Sequence, residues 1–85
     1  MTRDELRDVV VRELGRIAPE LDPKTLRSDA PLRDQVDVDS MDFLNFIIAL
    51  HHRVGVDIPE ADYSKLSSVS AIVAYVSTKL AGSTP

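Results

Sequence analysis

The sequence predicts an all-α fold: a small four-helix bundle made of three main helices and one short one. Three observations carry that prediction. Apolar residues recur at helical spacing in three separate stretches, each bounded by capping and stop residues. No stretch alternates long enough to require a strand. The chain has 85 residues, enough for one domain with a modest core, and its 44% apolar content rules out disorder for want of residues to bury. The whole of 1–85 is therefore read as one domain, ordered over about 2–81, with Gly82-Ser83-Thr84-Pro85 as a frayed tail.

The first helix opens at Thr2, whose pairing with Glu5 three positions on is a capping box, and runs to about Ile17. Leu6, Val9, Val10, Leu14 and Ile17 form its apolar stripe, with Arg3, Arg7, Asp8, Arg12 and Glu13 assigned to solvent. Pro19 and Pro23 end it, because proline supplies no amide and clashes with the preceding turn. A long connection follows, from Ala18 to Asp39. It holds five aspartates, yet also Leu21, Leu26, Leu32, Val36 and Val38, so it should lie tied down on the core.

The second helix runs from Ser40 to about Val54 and stops at Gly55. Met41, Phe43, Leu44, Phe46, Ile47, Ile48, Ala49, Leu50 and Val54 cover more than one face of it. Either this helix is central and buried, or part of its apolar surface serves a partner. Glu60 to Leu66 form a short helix or turn. Ser67 or Ser68 then caps a last helix to about Leu80, with Val69, Ile72, Val73, Val76 and Leu80 facing inward. Leu50 and Ile72 are expected in the core.

Composition removes several function classes. A net charge of −4 repels phosphate backbones, so nucleic-acid binding is not expected. No segment approaches the roughly 18 apolar residues of a membrane span, and Met1-Thr2-Arg3-Asp4-Glu5 does not read as a signal peptide, so the expected location is cytoplasmic. Without cysteine there is no disulfide framework and no thiolate metal site, and any thioester chemistry needs a borrowed thiol. His51 and His52 are adjacent on a helix, about 100° apart, and do not share a metal as an i, i+4 pair can. They suit the negative end of the helix dipole without further role. They also lie about 17 Å from Ser40, so a hydrolase triad is out of reach and no catalytic residue is assigned.

Ser40 is the residue that draws attention. It stands where a long ordered loop meets a helix N-terminus, a position that favours an attached anion. The same position is served by a serine acting only as N-cap. The neighbouring residues bear on the choice. Asp37-Val38-Asp39-Ser40-Met41-Asp42 resembles the Asp-Ser-Leu attachment motif of acyl carrier proteins, with Met in place of Leu. Leu44, Ile47, Ala49 and Leu50 fit that family's second helix. Gly55-Val56-Asp57-Ile58-Pro59 is similar to the Gly-Ile-Glu-Ile-Pro that follows it, and Ser67-Ser68-Val69 to the Thr-Thr-Val that opens the last helix. The resemblance covers nearly the whole chain and is strongest from Asp37 to Val76.

This resemblance implies a carrier, not an enzyme. A phosphopantetheinyl transferase would place a 4′-phosphopantetheine arm from coenzyme A on Ser40, and the arm's thiol would hold an acyl group as a thioester. Asp39 would help the transferase recognise the site. Acyl-loading ligases or synthases of a lipid, polyketide or related specialised pathway would be the partners, and the carrier would be a monomer. One departure is informative: Asn45 and His51-His52-Arg53 stand where the family often has glutamate. Charge steering of a basic partner is thereby reduced. Docking is expected through Met41, Asp42, Phe43 and Asn45, in a pathway other than the main fatty-acid synthase. The alternatives are an aminoacyl, peptidyl or D-alanyl carrier, or an unmodified helical interaction module. The absence of a Gly-Gly before the acidic residue favours the acyl carrier over the peptidyl one.

Overall fold

The computed structural model describes residues 1–82, and the part of the expected frayed tail at Ser83, Thr84 and Pro85 lies outside them. Three α-helices build the body: α1 (Arg3–Ile17), α2 (Ser40–Val54) and α3 (Val69–Gly82). Gly82, read from sequence as the start of the tail, is instead the last residue of α3. A 3-10 turn at Leu32–Asp34 and a 3-10 helix at Glu60–Lys65 punctuate the connections, and among the described residues no strand forms. The bundle measures 40 × 24 × 19 Å, with α1 packed against both α2 and α3.

α1 begins as its sequence dictates. Thr2 Oγ1 accepts from the Glu5 amide at 3.1 Å while the Thr2 amide donates to Glu5 Oε1 at 2.9 Å, so two orphan amides are satisfied at once. That amide also holds the Glu5 carboxyl below its ordinary pKa. Leu6, Val9, Val10 and Leu14 are buried as expected, and so is Val11. Glu13 departs from the expected pattern. Its side chain is 1% exposed, beneath Arg16 Nη1 at 3.7 Å and Arg53 Nε at 3.8 Å, and neither carboxylate oxygen makes a hydrogen bond. The stripe on α1 is simply wider than periodicity alone drew it, because α2 and α3 cover it from two sides.

The connection from 18 to 39 is held, not loose. Asp22 accepts from the Lys24 amide in a tight turn. Leu26, Leu32 and Val36 enter the core, with Leu21 and Val38 packed against it. The Gln35 side chain bridges the loop to itself. It accepts from the Arg27 amide at 2.6 Å and donates to the Arg27 and Ala30 carbonyls at 2.8 and 3.0 Å. The Leu32 amide donates to Ser67 O, and the Ser70 amide to Ser28 O, both at 2.8 Å, which ties the loop to the start of α3.

Glycine is required at one stop. Gly55 takes φ 71°, the left-handed conformation that closes α2, and returns its amide to His51 O. The His51 ring lies over this end with Nδ1 2.9 Å from Val56 O; since a carbonyl can only accept, Nδ1 carries the proton in that bond. At the head of α3 the open choice of cap is decided for Ser68, whose Oγ accepts from the Ala71 amide at 3.1 Å. Leu50 and Ile72 are fully buried, as the apolar pattern required.

The 3-10 helix is anchored from outside. It buries no residue of its own. Instead Tyr75 of α3 donates its hydroxyl to Asp62 at 2.5 Å, and Lys65 stands 3.2 Å from the same carboxylate. The Tyr75 hydroxyl is pushed up to about 12 by burial first and by Asp62 second. The hydrogen bond from Tyr75, then that from Lys65, holds Asp62 below its ordinary value. A raised tyrosine contributes stability that is present below its unfolded pKa, about 10, and is lost as pH rises through about 12. A depressed carboxylate contributes stability above its unfolded pKa that is lost as pH falls through the folded one. Tyr75→Phe is therefore expected to flatten both limbs of a stability-versus-pH profile, measured by denaturant unfolding between about pH 3 and 12. An unchanged alkaline limb would show that this contact carries no stability.

Candidate functional site

Ser40 is the first residue inside α2, and the cap is Asp39. The Asp39 backbone is extended, and its Oδ1 accepts from the Asp42 amide at 2.8 Å. This settles the choice left open by the sequence: Ser40 does not serve as the N-cap. Its side chain is exposed, and among the described residues its hydroxyl takes part in no hydrogen bond. Ser40 and Met41, at the first two helical positions, have no intrahelical acceptors for their amides, so the positive end of the helix faces the same solvent as Oγ.

Two expected outcomes separate these roles. Ser40→Ala should leave thermal stability nearly unchanged, whereas Asp39→Ala should cost about 1 kcal/mol for the lost cap. Asp39→Asn keeps the cap and removes only the charge, so it isolates any part that the carboxylate plays in recognition. Equal melting losses in Ser40→Ala and Asp39→Ala would contradict the assignment of the cap.

Beside Ser40 opens a groove of about 930 Å³. Leu14 and Leu66 line its depth. Pro31, Leu32, Arg33 and Val38 come from the loop, Phe43 and Leu44 from α2, and Glu60, Tyr63 and Ser64 from the 3-10 helix. The groove is thus apolar inside and polar at its rim.

The expected partner-facing residues divide. Met41 and Asn45 are exposed, and Asp42 is half-buried at the edge of the same face. Phe43 was expected among them but turns toward the core. Its ring meets Tyr63 edge-on at 5.9 Å and Phe46 at 6.0 Å, which draws it inward through paired aromatic contacts. The apolar bulk left in water is Met41 at 66%, Leu44 at 39% and Ile48 at 48% exposed. Positions 41, 44 and 48 share one stripe of the helix. A helix that is apolar on several sides gives no periodic signal for which side stays wet, so Leu44 and Ile48 were not singled out from sequence. The His51 and His52 rings lie 5.5 Å apart, tilted at 60°, and among the described residues no group of three or more His, Cys, Asp or Glu is arranged to hold a metal.

This geometry offers an unbonded, exposed hydroxyl at a helix start, next to an apolar groove. The family described as "Phosphopantetheine attachment site" matches the chain over residues 4–76. The chain is similar to the acyl carrier protein of Campylobacter hominis, 32% identical over 86% of each chain. It is also similar to that of Campylobacter curvus, 30% identical over 86% of this chain and 88% of that one. The chain belongs to the acyl carrier protein family. The fold of this carrier agrees with a solved acyl carrier protein from Enterococcus faecalis, at a TM-score of 0.79 over 93% of this chain and 99% of that one, with 23% identity.

Membership brings a covalent 4′-phosphopantetheine. The residues of this carrier fit such a group: a free hydroxyl to bear it, a helix N-terminus to face its phosphate, and no cysteine of the chain's own to compete with its thiol. When attached, the arm supplies the thiol on which an acyl group rides as a thioester. The chain's own residues hold Ser40 in place through the Asp39 cap at the start of α2.

Proposed function

We propose that Ser40 bears the arm and that this protein presents acyl groups to enzymes of a specialised lipid, polyketide or related pathway in the cytoplasm, as a monomeric, non-catalytic carrier. The observation that carries this reading is the exposed, unbonded Ser40 hydroxyl in the first turn of α2 at the lip of the groove. Asp39 serves recognition by a phosphopantetheinyl transferase while capping the helix. Loading ligases or synthases dock on the face beginning at Met41 and Asp42, running past Asn45 and completed by Leu44 and Ile48. Beyond Asp42 that exposed face bears no carboxylate, so apolar burial and not charge steering dominates docking. The described helices include none long and apolar enough to cross a membrane.

The test is intact mass after incubation with coenzyme A and a broad-specificity phosphopantetheinyl transferase, with Ser40→Ala alongside. Wild type should gain one phosphopantetheine and Ser40→Ala none. A gain on Ser40→Ala moves the site elsewhere. Folded wild type that gains nothing with two unrelated transferases returns the protein to the class of unmodified interaction modules. Salt dependence of the loading rate with a ligase tests the docking face. A steep fall with ionic strength would overturn the apolar reading.

A further inference from the structure

Arg33 stands in the 3-10 turn on the loop side of the groove that opens at Ser40. Its backbone is fixed by its neighbours. Leu32 is buried and donates its amide to Ser67 O at 2.8 Å, and the Gln35 and Val36 amides both return to Leu32 O at 2.9 Å. The Gln35 side chain closes the loop from the other side. Arg33 therefore projects from a held turn, with its Cα fixed beside the groove and its side chain exposed.

The arginine is uncommitted. Arg16 and Arg53 reach Glu13, Arg27 reaches Asp29, and Arg7 donates to Ser28, but among the described residues Arg33, like Arg3 and Arg12 on α1, has no ion pair and no hydrogen bond. Two carboxylates line the same groove, Asp39 and Glu60, and neither comes within ion-pair distance of it. Asp39 already accepts from the Asp42 amide. Arg33 is the one cationic side chain among the residues that line this groove. A planar fork of donors, unpaired beside an apolar surface, is suited to an anionic oxygen pair.

We propose that Arg33 is a binding residue for an anionic group carried by the arm on Ser40: its phosphodiester, or a carboxylate at the far end of the cargo. Both present two oxygens that a guanidinium grips in the same way. The proposal rests on Ser40 as the attachment point, and it adds a residue with a defined chemical preference to the rim of the groove. Through it, the cargo or its tether would be held against the loop between encounters with enzymes.

The experiment follows the Arg33 Nε–H signal in the ¹⁵N-labelled full chain, assigned by its loss in Arg33→Gln. Four forms are compared: unmodified, carrying the bare arm, carrying a butyryl arm, and carrying a malonyl arm with a terminal carboxylate. Intact mass verifies each form independently, so a failure to load counts against the Ser40 reading and not against Arg33. A shift of the Arg33 signal on adding the bare arm, kept in both loaded forms and well outside any change at the other six arginines, identifies the phosphodiester as its ligand. A shift confined to the malonyl form identifies the cargo carboxylate. In either case the ³¹P or cargo ¹³C signal should move between wild type and Arg33→Gln and be partly restored in Arg33→Lys, which keeps a point charge but not the fork. If the Arg33 signal stays in place across all four verified forms, the proposal is overturned. Because Arg33 is exposed, the variants are expected to fold as wild type does.

Discussion

Replacing both Arg16 and Arg53 with alanine is expected to destabilise the protein by about 3 kcal/mol or more, while Glu13→Leu should be neutral or stabilising. The reason lies in the setting of Glu13, a carboxylate 1% exposed whose oxygens make no hydrogen bond and lie 3.7 and 3.8 Å from the two guanidiniums. Removing the arginines leaves a desolvated charge without compensation, whereas a leucine of similar volume removes the charge along with the need for it. In a domain this small the double alanine variant should melt more than about 10 °C lower. Thermal unfolding of the two variants beside wild type decides the matter. If Glu13→Leu falls as far as the double variant, the carboxylate is a net source of stability and its desolvation does not dominate. Single arginine variants should lose less, since the other guanidinium remains.

The second large effect divides α2 by its faces. Leu50→Ala should cost about 2–5 kcal/mol, because the side chain is fully buried and its truncation leaves a cavity in the core. Total stabilities of small domains begin near 5 kcal/mol, so this variant should be partly unfolded at 37 °C. Leu44→Ala and Ile48→Ala sit on the wet side of the same helix and should change stability by less than about 0.5 kcal/mol. Their expected loss is in the rate at which partner enzymes load or unload the carrier, at unchanged circular dichroism. A destabilised Ile48→Ala, or an untouched loading rate in the pair, would undo the division. The measurement combines denaturant unfolding with a loading assay on the same preparations.

Much of this was legible in the residues. The stripes of α1 and α3, the Thr2–Glu5 cap and the Gly55 stop are local chemistry, and local chemistry is written in consecutive positions. The family was legible because the Asp-Ser pair, the Gly-to-Pro block and the Ser-Ser-Val block stand at matching spacings. What the sequence withheld depends on residues brought together from afar. Glu13 read as a surface residue because Arg53, forty positions away, is invisible from α1. The cap moved one residue because Asp39 and Ser40 are both good caps and only the backbone turn chooses between them. Phe43 went inward because Tyr63 waits there, and no periodicity on α2 announces a ring on another element. Gln35 looked like an ordinary polar residue in a loop, yet it makes three of the bonds that give that loop its shape.

That glutamine has a bearing on how a tethered cargo behaves. With the arm on Ser40, as proposed, the pivot is a residue of α2 and stays put whatever the loop does. The loop sets the opposite side: bridged by Gln35, it presents Pro31, Leu32 and Arg33 as a fixed wall of the groove. A fixed wall keeps constant the share of time a cargo rests against it, and so the share left free for a docked enzyme. Loosening the clamp should shift that partition without altering any residue of α2.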